Sequence, residues 1–278
     1  MRKVKNLVVG CGLSGIVLAE RLASQRGEEV LIIDRRNHIG GNIYDYKDKE
    51  TGITVHQYGP HAFHTIHKHI WEYIQQFSEF NTFQLNVSAW IDGKCVPVPF
   101  NFNSMEKVFP SYLAERIEKK LVEKFGYNVK VPILDLRKEN DADLQFLADF
   151  VYKNVFEGYT LKQWGLKPEE IDPTVTARVP IFIGKDDRYF QDAYQGVPVN
   201  GYTKMVENML DNPLIKVELN TNWMDVKDNI EYERLFYTGS IDEFFNYEYG
   251  ILPYRSVYFK QQIKNYPHEQ PTATINYP

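Results

Sequence analysis

A glycine-rich turn set between a buried strand and a helix constrains this 278-residue chain more than any other feature. Val4-Lys5-Asn6-Leu7-Val8-Val9 has the apolar run of a buried parallel strand, and Gly10-Cys11-Gly12-Leu13-Ser14-Gly15 follows without a gap. Ile16 to Ala23 then opens a helical pattern, and a second apolar run, Val30 to Ile33, ends on Asp34, 19 residues beyond Gly15. Each part has a physical task in holding a dinucleotide. Gly10 permits the tight turn, Gly12 lets a pyrophosphate approach the backbone, and Gly15 lets the helix lie close on the strand. The helix N-terminus offers unpaired N–H groups and a partial positive charge to phosphates. Asp34 is placed to accept hydrogen bonds from a ribose diol.

The residues after Asp34 narrow the cofactor. Arg35-Arg36-Asn37-His38-Ile39-Gly40-Gly41-Asn42 sets a diglycine six residues beyond the acid. This resembles the extended FAD fingerprint of glutathione-reductase-like flavoproteins, whose diglycine loop lies close to the cofactor. FAD is therefore favoured over NAD.

Length allows a substantial core and one large or two smaller domains. A net charge of −5 argues against nucleic acid as a principal partner. Two cysteines, Cys11 and Cys95, cannot build a disulfide framework and fit a reducing cytoplasm. The first strand begins within a few residues of Met1, which leaves no room for a signal peptide, and no apolar run reaches the roughly 20 residues that span a bilayer. Aromatics make up 14% of the chain, enough to fill a core and also to stack on rings and sugars; composition does not separate the two uses.

Along the chain, Tyr44 to Thr54 reads as a polar loop or hairpin turning at Gly52, and Ile66 to Phe77 as an amphipathic helix. Val87 to Ile91 and Lys94 to Val98 flank Asp92-Gly93, a strong hairpin signal, with Pro97 and Pro99 ending the second strand. Met105 to Phe125 is a helical run divided by Pro110, and Ala142 to Phe156 is a further helix with one apolar face. Tyr202 to Leu210 reads as a helix. Ile215 to Leu219 and Val257 to Ile263 read as strands, and Arg234 to Gly239 as a buried strand ending in a turn. The expected architecture is an α/β, Rossmann-like FAD fold of glutathione-reductase type with an inserted helical domain and an additional mixed sheet. Its divisions are 1–103 with the hairpin, 104–165 helical, and 166–278 on the substrate side. A flavin fold of this type normally returns to its nucleotide sheet with a second set of contacts, so the chain reads as a fragment.

Five of the seven histidines, His56, His61, His64, His67 and His69, crowd one segment, but without the Cys or carboxylate spacing of a metal site. His61, after Gly59-Pro60, is either a satisfied structural residue or one fixed beside a cofactor ring. Gly158-Tyr159-Thr160-Leu161-Lys162-Gln163-Trp164-Gly165 suits a stacking platform for a base or sugar. Arg178, among apolar neighbours, is either paired in the core or aimed at an anion such as a diphosphate. No Ser/His/Asp nucleophile motif and no isolated acid pair supports hydrolase chemistry.

Beyond the N-terminal fingerprint, an ordered series runs Tyr58-Gly59-Pro60-His61-Ala62-Phe63-His64-Thr65, Tyr159-Thr160 with Gln163-Trp164-Gly165, and Arg178-Val179-Pro180. It continues through Tyr189-Phe190, Gln195-Gly196-Val197-Pro198, Gly201-Tyr202-Thr203-Lys204 and Tyr237-Thr238-Gly239 with Ile241-Asp242. The chain resembles the bacterial UDP-galactopyranose mutases over nearly its whole length. The resemblance implies a cytoplasmic FAD enzyme, serving cell-surface polysaccharide synthesis, that interconverts UDP-galactopyranose and UDP-galactofuranose through an adduct between reduced-flavin N5 and the sugar. It implies substrate contacts from Tyr159, Thr160, Trp164, Arg178, Tyr189 and Asn276, with Arg178 also closing a mobile loop. It implies cofactor contacts from Gly10, Gly12, Leu13, Ser14, Gly15, Asp34, Arg35, Gly41, Asn42, Thr238 and Gly239, and from His61 against the flavin. His61 and Arg178 would then be the catalytic pair, and a homodimer would fit. Family members run roughly a hundred residues longer, with a second diphosphate arginine, so little or no turnover is expected of the 278-residue piece. Competing readings are an FAD oxidase of amines or nucleotide sugars, and a non-catalytic nucleotide-binding paralogue.

Overall fold

The structure is a computed structural model that describes residues 2–166, 170 and 180–278. Arg178 and the segment around it lie outside the described residues. The chain divides into two compact units, 1–83 with 192–259 and 84–191 with 260–278.

The first unit is built on a four-stranded parallel sheet in the order Ile215–Glu218, Val30–Ile33, Arg2–Val9, Ile230–Tyr237. Registers Asn6↔Val30, Val9↔Ile33 and Val9↔Tyr237 bring the carboxyl ends of the three strands into line, beside Gly10, Asp34 and Thr238. Both faces are covered, which explains the unbroken apolar runs. Leu7, Val9, Leu31, Ile33 and Trp223 fill one face, while Val8, Ile16, Ala19, Ile32, Met205 and Val206 fill the other. The helix Leu13–Arg26 and the helix Tyr202–Leu210 supply that second face, the latter with the bounds expected from its apolar spacing. Asp45 anchors it from a distance: its buried carboxylate accepts the backbone N–H groups of Tyr202 at 2.6 Å and Thr203 at 2.9 Å. A side chain at Gly201 would fill that cap, because its Cβ would lie 2.7 Å from Asp45 Oδ2.

At the opposite end of the sheet, Glu28 gathers cations. Burial pushes its carboxyl up, but hydrogen bonds from Asn6, Arg26, Lys5 and Arg234 outweigh it and bring the group down to about 2. A depressed carboxyl stabilises the fold above its unfolded value of about 4.3 and loses that contribution as pH falls through the folded value. Denaturant unfolding at stepped pH should therefore show stability falling from about pH 5 toward 2, and Glu28→Gln should flatten that limb. An identical limb in the variant would contradict the assignment.

The second unit holds the hairpin Val87–Ile91 and Lys94–Val98, whose Asp92-Gly93 turn has φ of +47° and +79°, as a two-residue turn requires. Thr274–Asn276 adds a parallel strand beside Val87–Ile91, leaving the Pro97 strand at the edge, where a missing N–H costs nothing. The helices Phe102–Val108 and Ser111–Phe125 break at Pro110 as expected. They pack with Ala142–Val151 around Phe100, Met105, Ile117, Leu121, Leu144 and Leu147. The hairpin shares this core through Val87, Ala89, Ile91, Val96 and Val98, so it groups with the helices and not with the nucleotide unit to which the sequence reading assigned it.

Two further elements differ from expectation. The helical pattern from Ala142 continues through a π-helical turn, Tyr152–Glu157, into Gly158–Trp164, so the expected stacking platform is helical. The strand expected at Val257 to Ile263 is not formed. Residues 251–264 are irregular and exposed, with Val257 69% and Ile263 59% accessible, because no strand or core among the described residues covers their apolar face.

Candidate functional site

At the carboxyl ends of the parallel strands lies a cleft of about 410 Å³, where doubly wound folds place their ligands. Gly10, Gly12, Leu13, Ser14, Asp34, Arg35, Gly41, Asn42, Thr238 and Gly239 all line it. Gly15 does not, since it works from behind the turn, and His61 sits elsewhere in the same unit.

The glycines divide by task. Gly10 has φ +107°, and its Cβ would lie 2.2 Å from Thr238 Oγ1, which itself donates to Val9 O at 2.9 Å. A Cβ on Gly15 would lie 2.1 Å from Gly10 O, so only glycine lets helix and turn meet. Gly41, at φ +57°, would put a Cβ 2.7 Å from Gly12 Cα. The diglycine loop thus packs directly on the first turn, secured by Gly40 N–H to Cys11 O at 2.9 Å. Gly12 is different. Its backbone is extended at φ −83°, and a Cβ there would meet only Gly41 Cα, at 3.9 Å. Neither conformation nor a protein neighbour demands glycine, which is the signature of a backbone kept bare for a ligand. Gly12 also begins the helix with no side-chain cap and no acid in the first turn, leaving its leading N–H groups for an anion.

Asp34 does more than wait for a ribose. Its Oδ2 accepts the Cys11 N–H at 2.6 Å and its Oδ1 the Arg36 N–H at 2.8 Å, so the acid braces the turn and keeps lone pairs for a diol. Burial, with Asp34 next, pushes the enclosed Cys11 thiol up to about 12, which removes it as a nucleophile. Arg35 pairs with Glu243 at 3.5 Å, while Arg36 holds Asn42 Oδ1 at 3.0 Å and lies over the Tyr58 ring. Thr221, Asn222, Trp223, Ser240 and Glu243 also line the cleft and escaped sequence reading. The Thr221 N–H bonds to Asp34 O at 2.8 Å, a consequence of long-range strand pairing that no local motif announces.

The histidine-rich segment separates into pieces. His56 and His61 stack at 6.2 Å, His64 bonds to Asp192, and His67 and His69 lie together at the start of the helix Lys68–Ile74. In the second unit, Thr160 is buried and Trp164 half-buried in the helix Gly158–Trp164. The Tyr159 backbone lies in the same helix. Tyr189 meets Phe190 edge-on at 4.9 Å, and Asn276 pairs with Ala89 in the strand ladder. Arg178 falls outside the described residues.

A family model described as UDP-galactopyranose mutase matches residues 154–278, and one for an NAD(P)-binding Rossmann-like domain matches residues 8–77. A probable UDP-galactopyranose mutase of Klebsiella pneumoniae is 36% identical over 92% of this chain and 65% of its own length. A dTDP-fucopyranose mutase of Escherichia coli is also 36% identical, over 92% and 68%. The UDP-galactopyranose mutase of Mycoplasma pneumoniae is 36% identical over 98% and 71%. A crystal structure of reduced UDP-galactopyranose mutase shares the fold at a TM-score of 0.57 and 20% identity, covering 87% of this chain and 57% of that one. The chain spans about two thirds of the length of these curated relatives, from 65% to 71%. With that identity sustained across both units, the chain belongs to the UDP-galactopyranose mutase family.

Proposed function

We propose that the chain carries the cofactor cleft and much of the substrate surface of an FAD-dependent mutase that interconverts the pyranose and furanose forms of UDP-galactose. The observation that carries the cofactor half is Gly12, bare toward the cleft at the start of an uncapped helix. The pyrophosphate would rest on Gly10, Gly12, Leu13 and Ser14, with Gly15 holding the turn from behind. Asp34 would share its remaining lone pairs with the ribose, and Arg35, Gly41, Asn42, Thr238 and Gly239 would flank the cofactor. The chemistry a bound, reduced flavin supplies there is a nucleophilic nitrogen for the anomeric carbon, so the ring can be remade with no net redox change. His61 would stand by the flavin ring. Its Nδ1, 2.8 Å from Gly59 O, must carry the proton, which leaves Nε2 to hold or release one. Family membership supports Arg178 as the diphosphate contact, with Tyr159, Trp164 and Tyr189 as aromatic surface and Thr160 and Asn276 as polar contacts.

Titration with FAD and with NAD tests the cofactor: tight FAD binding with no competition from NAD is expected, and preference for NAD would overturn it. Arg178→Ala should weaken UDP binding at least about tenfold, roughly 1.4 kcal/mol, and leave flavin content unchanged. Flavin content that fell in parallel would mark Arg178 as structural. One observation favours a second substrate, because the relative that acts on dTDP-fucopyranose is as similar as the galactose enzymes. Competition between UDP-galactose and dTDP-fucose decides which nucleotide sugar this chain prefers.

A further inference from the structure

His61 is the one histidine of its segment that the flavin reading uses, yet it does not stand alone. His56 ends the short strand Thr54–His56, and the chain turns at Gly59, φ +97°, to bring His61 back beside it. The His61 backbone N–H donates to His56 Nδ1 at 3.1 Å. A ring nitrogen that accepts carries no proton, so His56 is neutral with its proton on Nε2. His61 Nδ1 faces the Gly59 carbonyl, which can only accept, so that nitrogen is protonated. Two backbone contacts therefore specify both tautomers. The rings lie nearly parallel, 10° apart, and the Tyr202 ring meets both edge-on at 5.8 and 6.5 Å.

Asp45 lies opposite His56 in the strand ladder, and an Asp–His–His relay would be the obvious reading. The geometry is against it. Both Asp45 oxygens accept amides of the helix Tyr202–Leu210, so its charge serves that cap. Burial first, and then His61, draw His56 below the ordinary imidazole value, with Asp45 opposing. Burial also raises the Tyr202 phenol, which stays neutral. The faces around His61 thus present a neutral imidazole and a neutral phenol, with the Asp45 carboxylate already engaged.

We propose that His56 is a positioning residue for His61: by accepting its backbone N–H and lying against its ring, it holds the ring where Nδ1 reaches the Gly59 carbonyl, and so keeps the tautomer that offers Nε2 as its free nitrogen. This rests on the reading that places His61 beside the flavin. Among the described residues Nε2 has no hydrogen-bond partner, so it is the nitrogen available to a flavin N–H or to a proton in transfer. His56, held neutral, keeps the stacked pair from carrying two charges.

Long-range proton–nitrogen NMR of the histidine rings, on the full chain without cofactor, tests the positioning claim. Wild type should show His56 protonated at Nε2 alone and His61 at Nδ1. His56→Phe keeps a ring but removes the acceptor, and should lower the Nδ1–H to Nε2–H ratio of His61 by about fivefold or more, the equivalent of one hydrogen bond. His56→Asn returns an oxygen near the position of Nδ1 and should restore the ratio. An unchanged ratio in His56→Phe, or no rescue by asparagine, overturns the proposal. If His56→Phe does not fold, the wild-type spectrum decides alone: a protonated His56 Nδ1 would sink the idea. In FAD-loaded protein, His61→Gln and His56→Phe should move the flavin midpoint potential in the same direction. A potential indifferent to His61→Gln removes the flavin reading and leaves the histidine-pair claim to the spectra.

Discussion

Gly12→Val is expected to lower FAD affinity by at least about 100-fold, roughly 2.8 kcal/mol, while the thermal midpoint moves by only a few degrees. The separation follows from geometry. Glycine at this position has ordinary extended dihedrals, and beyond its chain neighbours the nearest protein atom to an added Cβ is Gly41 Cα, 3.9 Å away. Valine therefore meets little of the protein, and the change of helix N-cap costs about 1 kcal/mol or less. Its two methyls would instead stand before the leading amides of the helix Leu13–Arg26, where phosphate oxygens must come within hydrogen-bond distance. Calorimetric titration and thermal unfolding read the two effects separately. Unchanged affinity would move the pyrophosphate elsewhere, and a collapsed midpoint would make Gly12 a structural residue.

Gly15→Val, three positions on, is expected to do the reverse and destabilise the nucleotide unit itself by on the order of 3–5 kcal/mol. Its Cβ would lie 2.1 Å from Gly10 O and 3.0 Å from a Val8 methyl. The first of these is backbone at a tight turn and cannot rotate away. Helix and strand must part, opening the layer of Val8, Ile16 and Ala19. Lost flavin affinity would follow as a consequence of that opening. Denaturant unfolding checks this, and a variant of wild-type stability would show that the turn yields more than its packing implies.

The sequence disclosed most where structure is local. The first 42 residues declare strand, turn, helix and acid because Gly10, Gly15 and Gly41 each answer a nearby contact, and Asp92-Gly93 declares a hairpin because its turn needs two positive φ angles. Tyr202 to Leu210 showed its helix by apolar spacing, and its cap by Asp45 lies 157 residues away, beyond any window. Val257 to Ile263 misled for the converse reason: its β-branched and aromatic residues suit a strand, but a strand exists only with a partner. The π-turn at Tyr152 kept a helical pattern of apolar residues and so left no trace. Thr221 and Trp223 reach the cleft only because Ile215 pairs with Val30, a contact that composition and motif do not encode. Asp34 was legible as a ribose acid; its second task, bracing Cys11 and Arg36, needed coordinates.

The most direct test of the function follows UDP-galactofuranose by chromatography with the chain carried to the full length of its curated relatives and loaded with FAD, before and after dithionite. UDP-galactopyranose should form only once the flavin is reduced, and should continue to form over many turnovers without further reductant. No conversion with FAD bound and reduced, or conversion that consumes an electron acceptor in step with product, would contradict it.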